Sequence, residues 1–186
     1  MNNKDCRVFL AFEGLSGSGK TTVAKLVAES IGATFYKTPP APFDSIRNKV
    51  DRESDISARF HFYLASIVQA SYEISKILKE KSVVCDRYIL TTLCYHQAIG
   101  VEINLPKLFF EKLLQPDHTF LVVCEDVVRL RRLQKRGMSY NDIQERKPGI
   151  EQLFLAGYRR YPVTEIDNSG DGPEIATKKV INLLRG

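Results

Sequence analysis

The stretch that decides the fold is "RVFLAFEGLSGSGKTT", residues 7–22. It opens with a short apolar run of strand length, and Gly14 to Thr21 then match the pattern G-x-x-x-x-G-K-[ST] in full. Lys20 to Gly32 has the period of a helix that a glycine closes. Because the motif lies between a predicted strand and a predicted helix, it indicates a phosphate-binding loop rather than an incidental glycine-rich turn.

In such a loop, glycines allow several backbone N–H groups to face phosphate oxygens, and the N-terminus of the following helix adds a favourable dipole. Lys20 is then expected to bridge the β- and γ-phosphates of ATP, and Thr21 to ligate Mg²⁺. The predicted nucleotide-binding residues of the loop are Gly14, Leu15, Ser16, Gly17, Ser18, Gly19, Lys20, Thr21 and Thr22.

Short β-rich runs alternate with longer helical segments along the rest of the chain, the pattern of a parallel sheet covered by helices. We predict one α/β domain over residues 1–186, with about five strands in its sheet. The segment 137–149 is polar and bounded by glycines, which predicts a mobile loop or lid. The predicted strands are 7–12, 33–37, 82–86, 118–124 and 163–167; the clearest other helices are 56–80 and 173–185.

Composition narrows the functional classes. The 186 residues hold 44% hydrophobic residues and no apolar run of membrane-spanning length, so a cytoplasmic protein without a membrane partner is expected. The four cysteines form no CxxC pair, which favours reduced core thiols over disulfides or a metal cluster. The net charge of +5 falls largely in "RLRRLQKRG", residues 129–137, and a polyphosphate ligand explains it without nucleic acid.

A second candidate site follows the apolar run "SVVCDRY". Asp86 ends this predicted strand, where it could hold Mg²⁺ beside the loop, and Arg87 could neutralise charge on a transferring phosphate. Alone, the Asp-Arg pair could equally cap the next helix. Next to a phosphate-binding loop, the catalytic interpretation is favoured.

Three segments together resemble the thymidylate kinase family: "FEGLSGSGKTT", "VVCDRYILTTLCYH" and "GYRRYP". The resemblance covers about residues 7–162 and implies the three-layer P-loop kinase fold, ATP and Mg²⁺ as cofactors, and transfer of a phosphate to a nucleoside monophosphate. It also implies a homodimer paired through helices such as 56–80. Catalytic roles are implied for Lys20, Asp86 and Arg87, with Thr21 and Asp86 as metal ligands.

The same resemblance implies where each substrate binds. Arg132 or Arg136 is expected to pack against adenine, and Arg146 or Lys147 to close over the transferred phosphate from the lid. Phe43 and Tyr95 could instead be core residues. The implied acceptor-binding residues are Lys37, Phe43, Arg47, Thr91, Thr92, Tyr95 and His96.

Three positions depart from the family's pattern, all on the acceptor side. Ser16 stands where the family prefers an acidic residue. Ile67, or Ser66 before it, stands where the long helix normally offers an arginine to the base. His96 replaces a glutamine, and it could be a general base, a pocket residue or a surface residue. The departures leave dTMP or a related nucleotide as the expected acceptor.

Two other functions remain open. One is a nucleoside kinase or a kinase of another small phosphorylated metabolite, although "KTPP", residues 37–40, lacks the glutamate that deoxynucleoside kinases place there. The other is a regulator that binds nucleotide without turnover. Turnover with a monophosphate distinguishes both from the leading hypothesis.

Overall fold

Five strands form one parallel sheet in the part of the chain that the structure, a computed structural model, describes: residues 7–170 and 172–185. The order across the sheet is β2-β3-β1-β4-β5. The predicted parallel sheet is therefore confirmed, with every strand boundary within two residues of its prediction. The strands are β1 (Phe9–Glu13), β2 (Thr34–Lys37), β3 (Val83–Asp86), β4 (His118–Val123) and β5 (Thr164–Asp167).

Helices connect the strands and cover the sheet. The long helix predicted at 56–80 ends three residues earlier, and the last predicted helix ends two residues earlier. The helices are α1 (Lys20–Ser30), α2 (Ala41–Glu53), α3 (Ile56–Ile77), α4 (Ile89–Ala98), α5 (Lys107–Lys112), α6 (Asp126–Arg136), α7 (Tyr140–Glu145), α8 (Ile150–Tyr158) and α9 (Pro173–Leu183).

Both faces of the sheet are buried, which explains why β1 is apolar at every position before Glu13. Phe9 and Ala11 pack on one face against α3 and α4, whereas Leu10 and Phe12 pack on the other against α1 and α9. Successive side chains of a strand point to opposite faces, so a continuous apolar run suits a strand between two helical layers. The three-layer fold is confirmed.

The parallel register brings the functional residues to one edge. Phe12 on β1 and Lys37 on β2 both pair with Asp86 on β3. The carboxyl ends of these three strands therefore meet, and the loops that follow them share one crevice. The glycine-rich loop, Asp86 and Lys37 lie around that crevice.

The segment predicted as a loop, 137–149, contains the short helix α7. Ser139 and Asp142 form a reciprocal capping box at its start. This local hydrogen bonding compensates for the few apolar residues on which a period-based prediction depends. The Ser-x-x-Asp spacing was the signal for it.

The cysteines fit the prediction of reduced thiols where the structure describes them. Cys85 and Cys94 are buried and Cys124 is partly buried, and all three are free. Cys6 lies outside the described residues. Burial raises the pKa of the Cys94 thiol to about 12, so this group is protonated and unreactive at neutral pH.

Candidate active site

The glycine-rich loop runs from the end of β1 to the start of α1. A Cβ at Gly14, where φ is 142°, would overlap the carbonyl oxygen of Val122 on β4, so only glycine fits there. Within the described chain, α1 has neither a side-chain cap nor an acidic residue in its first turn. Its first N–H groups are therefore available to an anion.

Lys20 is held inside the crevice with only 6% of its surface exposed. Its pKa is lowered to about 8, mainly by burial and also by Arg87, with Asp86 and two glutamates partly offsetting the shift. A buried ammonium group of this kind is stabilised by an anion that arrives beside it. The loop and its lysine thus have the character of a phosphate site.

Thr21 and Asp86 meet at the mouth of the loop. The Thr21 hydroxyl donates a hydrogen bond to Asp86 Oδ2. Asp86 Oδ1 is buried and has no hydrogen-bond partner in residues 7–170 or 172–185. A hydroxyl and a carboxylate are the ligands that P-loop enzymes give to Mg²⁺, so these residues fit that ion.

Arg87 has a backbone conformation that is uncommon for its residue type. Its φ is 69°, in the left-handed region, which costs about 1 kcal/mol or more in a non-glycine residue. The guanidinium group donates to Thr91 Oγ1 at 3.0 Å and to Ser16 Oγ at 3.4 Å. The strained backbone turns the arginine across the crevice toward the glycine-rich loop.

Sequence reasoning missed Glu13, whose side chain holds the residues that follow Arg87 in place. Its carboxylate is fully buried, accepts the backbone N–H of Tyr88 at 3.0 Å, and accepts the Thr91 hydroxyl. Burial raises its pKa, against the lowering effect of Thr91 and Arg87. A charged residue at the end of a buried strand was the available signal.

Two adjoining cavities open at the crevice. The inner cavity is bounded by residues of α3 and α4, and the outer cavity by the loop and the lid segment. Ser16, Arg47 and Arg87 line both, so the two cavities meet at these side chains. The predicted residues Thr91, Thr92, Tyr95 and His96 line the inner cavity, and Lys20, Thr21, Lys37, Asp86 and Arg136 line the outer one.

His96 forms part of the inner wall and is 1% exposed, so the surface alternative is wrong. Its Nδ1 lies 2.7 Å from the carbonyl oxygen of Thr92. Its pKa is lowered to about 4, mainly by burial and also by nearby Arg59, while that hydrogen bond partly offsets the shift. His96 is therefore neutral at physiological pH.

The burial of neutral His96 should make the fold sensitive to acid. The unfolded chain protonates this imidazole near pH 6.5, but the folded protein does so only near pH 4, so stability falls as pH decreases between these values. Between pH 7 and pH 4.5, the wild type should lose about 2 kcal/mol more unfolding free energy than His96→Gln, which has no titratable group at this position. Urea denaturation at both pH values measures the difference. Equal losses in the two proteins would contradict the prediction.

The unpartnered polar atoms fall into two groups. Six buried side-chain atoms lack a hydrogen-bond partner within the described part of the chain. Ser18 Oγ, Asp86 Oδ1 and Asn168 Oδ1 belong to the loop and its surroundings. Arg59 Nε, Tyr95 Oη and His96 Nε2 lie on or behind the inner wall. Unpaired buried groups are costly, and three of the six residues line a cavity: Asp86 the outer one, and Tyr95 and His96 the inner one.

The lid segment contacts the glycine-rich loop directly, through residues that sequence reasoning missed. Glu145 accepts the backbone N–H of Ser16 at 2.8 Å, and Arg129 on α6 donates to the Ser16 carbonyl oxygen at 3.1 Å. Glu145 and Arg129 are 3.5 Å apart and both are buried. A buried ion pair thus holds both backbone groups of Ser16.

The three arginines predicted to bind ATP or the transferred phosphate have different partners in the structure. Arg132 donates to the carbonyl oxygens of Ser18 at 3.2 Å and Asn168 at 3.0 Å, which keeps it beside the loop. Arg136 pairs with Asp142 at 2.8 Å and lines the outer cavity, which Arg132 does not line. Arg146 pairs with Glu151 at 3.3 Å and lines neither cavity.

Phe43 also lies away from the two cavities. Its ring packs against that of Phe62, with centroids 5.5 Å apart, and it lines neither cavity. Its half-buried position favours the alternative interpretation, a packing residue.

Thr22, predicted to bind nucleotide, is exposed on α1.

The sequence is similar to those of known proteins. A family model described as thymidylate kinase matches residues 12–161. A probable thymidylate kinase of Methanocaldococcus jannaschii is 29% identical, with 96% of each chain covered. A probable thymidylate kinase of Archaeoglobus fulgidus is 32% identical over 70% of this chain and 71% of its own.

Solved structures give the same result for the fold. Thymidylate kinase from Candida albicans superposes with a TM-score of 0.76 at 17% identity, covering 96% of this chain and 91% of that one. Thymidylate kinase from Ehrlichia chaffeensis gives a TM-score of 0.68 at 22% identity, covering 96% and 98%. With the family match spanning most of the sequence, the chain belongs to the thymidylate kinase family and is a phosphotransferase.

Proposed function

We propose that the protein transfers the γ-phosphoryl group of ATP to the phosphate of thymidine monophosphate or a closely related nucleotide. One observation carries the proposal: the outer cavity, with Lys20 and Asp86, adjoins the inner cavity at Ser16, Arg47 and Arg87. A donor phosphate at the loop and an acceptor phosphate at the inner cavity would meet at Arg87. Positioning two phosphates in this way supplies much of the catalysis in phosphoryl transfer.

We propose that Thr21 and Asp86 hold Mg²⁺. Support comes from the unpartnered Oδ1 of Asp86 and from the chemistry of a hydroxyl beside a carboxylate. When bound, the ion would neutralise charge on the phosphates. Lys20 and Arg87 would bind the transferred group, and Lys37 and Arg47 would hold the acceptor phosphate.

We propose that Arg136, the last residue of α6, takes the role toward the transferred phosphate that was predicted for Arg146 of the lid. Arg136 lines the outer cavity, and Asp142 orients its guanidinium group. Arg146 is paired with Glu151 outside both cavities. We propose that Arg132 borders the adenine site, because it lies against the loop near Asn168.

An acceptor screen tests the proposed reaction. ADP release would be measured with ATP, Mg²⁺ and one acceptor at a time: dTMP, dUMP, dCMP, dGMP, dAMP and thymidine. We expect turnover with dTMP or dUMP and none with thymidine, since Arg47 and Arg87, where the two cavities meet, suit a phosphate acceptor.

Two other results would overturn the proposal. Turnover with thymidine alone would indicate a nucleoside kinase. ATP binding without release of ADP for any acceptor would indicate a regulator.

The sequence also predicts a location and partners for the protein. None of the helices in residues 7–170 and 172–185 has the length and apolarity needed to cross a membrane. The cytoplasmic location, the single domain over 1–186 and the absence of a nucleic-acid partner stay predictions. The homodimer also stays a prediction; Val68 and Tyr72 are exposed on α3.

A further inference from the structure

A buried carboxylate joins α2 to the lid segment. Within α2, every residue of which the structure describes, Asp51 is the only buried one, with 4% of its surface exposed. Each carboxylate oxygen has a partner on another helix. Oδ1 accepts the Tyr63 hydroxyl of α3 at 2.8 Å, and Oδ2 accepts the side-chain N–H of Asn141 of α7 at 2.6 Å. The Asp51 carbonyl oxygen also accepts from Arg59 of α3 at 3.2 Å.

The contact between α2 and α7 is made by polar groups at the wall of the outer cavity. An ionised carboxylate can only accept hydrogen bonds, so the Asn141 amide has to turn its NH₂ group toward Asp51. Neighbouring residues add a second contact, since the guanidinium group of Arg52 lies 5.8 Å from the centre of the Tyr140 ring. All four residues line the outer cavity, so the two helices meet at its wall.

α2 carries a group that the proposed reaction assigns to the acceptor. Arg47, proposed above to hold the acceptor phosphate, lies one helical turn before Asp51 and lines both cavities. With one buried residue among its 13, α2 has little packing of its own, so the partners of Asp51 decide where this helix lies. A phosphate that binds Arg47 therefore also affects the contact of Asp51 with α7.

α7 carries groups that reach the donor side. Asp142 binds the guanidinium group of Arg136 at 2.8 Å, and Glu145 accepts the Ser16 N–H of the glycine-rich loop at 2.8 Å. Asn141 directly precedes Asp142 on this helix of six residues. A shift of α2 that Asn141 transmits to α7 would reach both contacts, because so short a helix moves as one element.

We propose that Asp51 is a positioning residue that couples binding of the acceptor to placement of the lid segment at the donor phosphates. The inference rests on the proposed function, since Arg47 has to meet an acceptor phosphate. With the acceptor bound, α2 holds α7 through Asn141, and α7 places Arg136 beside the transferred group. Without the acceptor this placement is weaker, which limits transfer of the phosphate to water.

The coupling should be measurable as a binding effect. If the acceptor strengthens binding of the donor, linkage requires the donor to strengthen binding of the acceptor by the same factor. Isothermal titration calorimetry would give the Kd of a non-hydrolysable ATP analogue with Mg²⁺, in the absence and presence of saturating dTMP. We expect dTMP to lower this Kd by about fivefold or more in the wild type.

A reciprocal exchange of the two side chains tests the contact itself. Asn141→Asp would set two carboxylates against each other where the Asp51 oxygen and the Asn141 nitrogen are now 2.6 Å apart. Like charges in contact repel, so the coupling factor should fall to about one, with kcat about tenfold lower. Adding Asp51→Asn restores one amide and one carboxylate with their places exchanged. The double variant should return to within about threefold of the wild type in both quantities.

Two further measurements separate positioning from a general loss of structure. The Kd of the ATP analogue without dTMP should stay within about twofold of the wild type in Asn141→Asp, because only the coupling is lost. Asn182→Asp is the control, since Asn182 is exposed on α9 and lines neither cavity. It adds the same charge and should keep the wild-type coupling factor and kcat.

Each failure has its own meaning. A coupling factor that Asn141→Asp leaves unchanged, or that the double variant fails to restore, overturns the role of Asp51 while the proposed reaction stands. If Asn141→Asp does not fold, Asn141→Ala removes the same hydrogen bond without the repulsion, and an unchanged factor in that variant has the same meaning. Absence of turnover with every nucleoside monophosphate overturns the proposed function itself.

Discussion

Replacing Lys20 with methionine should lower kcat/KM for ADP release by about a thousandfold or more. The ammonium group is the cation at the start of α1, where its charge would be closest to the transferred phosphate, and removal of one preorganised charge-stabilising group has effects of this size. Methionine fills a similar volume without charge. Steady-state assays with dTMP and ATP measure the loss.

Although Lys20→Met should lose activity, we expect it to be at least as stable as the wild type. Burial lowers the pKa of Lys20 to about 8, which means that the folded protein holds the charged form at a cost. Lys20→Met should therefore unfold at the same or a higher temperature than the wild type. A large fall in the melting temperature would contradict this and would make the kinetic loss uninterpretable.

Lys25→Met supplies the matched control. Lys25 lies on the same helix but is exposed, with its ammonium group 5.5 Å from the centre of the Phe35 ring. Its replacement should change kcat/KM by less than threefold. A comparable loss in both variants would mean that general loss of positive charge, and not the position of Lys20, lowers activity.

The sequence was sufficient for the parts of the molecule that depend on local pattern. The apolar runs of β1 and β3 predict buried strands, because both faces of each are covered. The glycine-rich loop and the Asp86-Arg87 pair could be found because each follows such a strand directly. The parallel register then brings them together, as Phe12 and Asp86 are partners across the sheet.

The parts that were missed depend on contacts between distant residues. Glu145 bonds to Ser16 across 129 positions, and no local pattern records such a pairing. Arg129 and Arg146 look alike in the sequence, both in basic segments. They differ in burial, because the side chain of Arg129 is 3% exposed and that of Arg146 is 25% exposed.

The state of His96 shows the same limit. From the sequence, His96 could be a pocket residue, a surface residue or a general base. Its low pKa results from desolvation by packed aromatic rings and from Arg59 on α3, which a reading of α4 alone does not include. Tertiary packing determines whether a histidine is charged.

The second large effect is expected from Arg129, on which the lid segment and the glycine-rich loop both depend. Arg129→Met should lower the free energy of unfolding by about 4 kcal/mol, because breaking a buried ion pair leaves an uncompensated charge. Glu145, with 5% of its side chain exposed, would remain buried and would lose its cationic partner. Glu151 and Asp126 would lose the same partner. Urea denaturation at pH 7 measures the change.

A double-mutant cycle assigns this loss to the buried pair. Adding Glu145→Gln to Arg129→Met removes the stranded charge, so the double variant should be more stable than Arg129→Met alone. Arg131→Met, on the exposed side of the same helix, is the control and should cost less than about 0.5 kcal/mol. If Arg129→Met cost no more than Arg131→Met, the pair would not hold the lid segment to the loop. If it costs several times more, Ser16 keeps its orientation at the junction of the two cavities because Arg129 and Glu145 neutralise each other beside it.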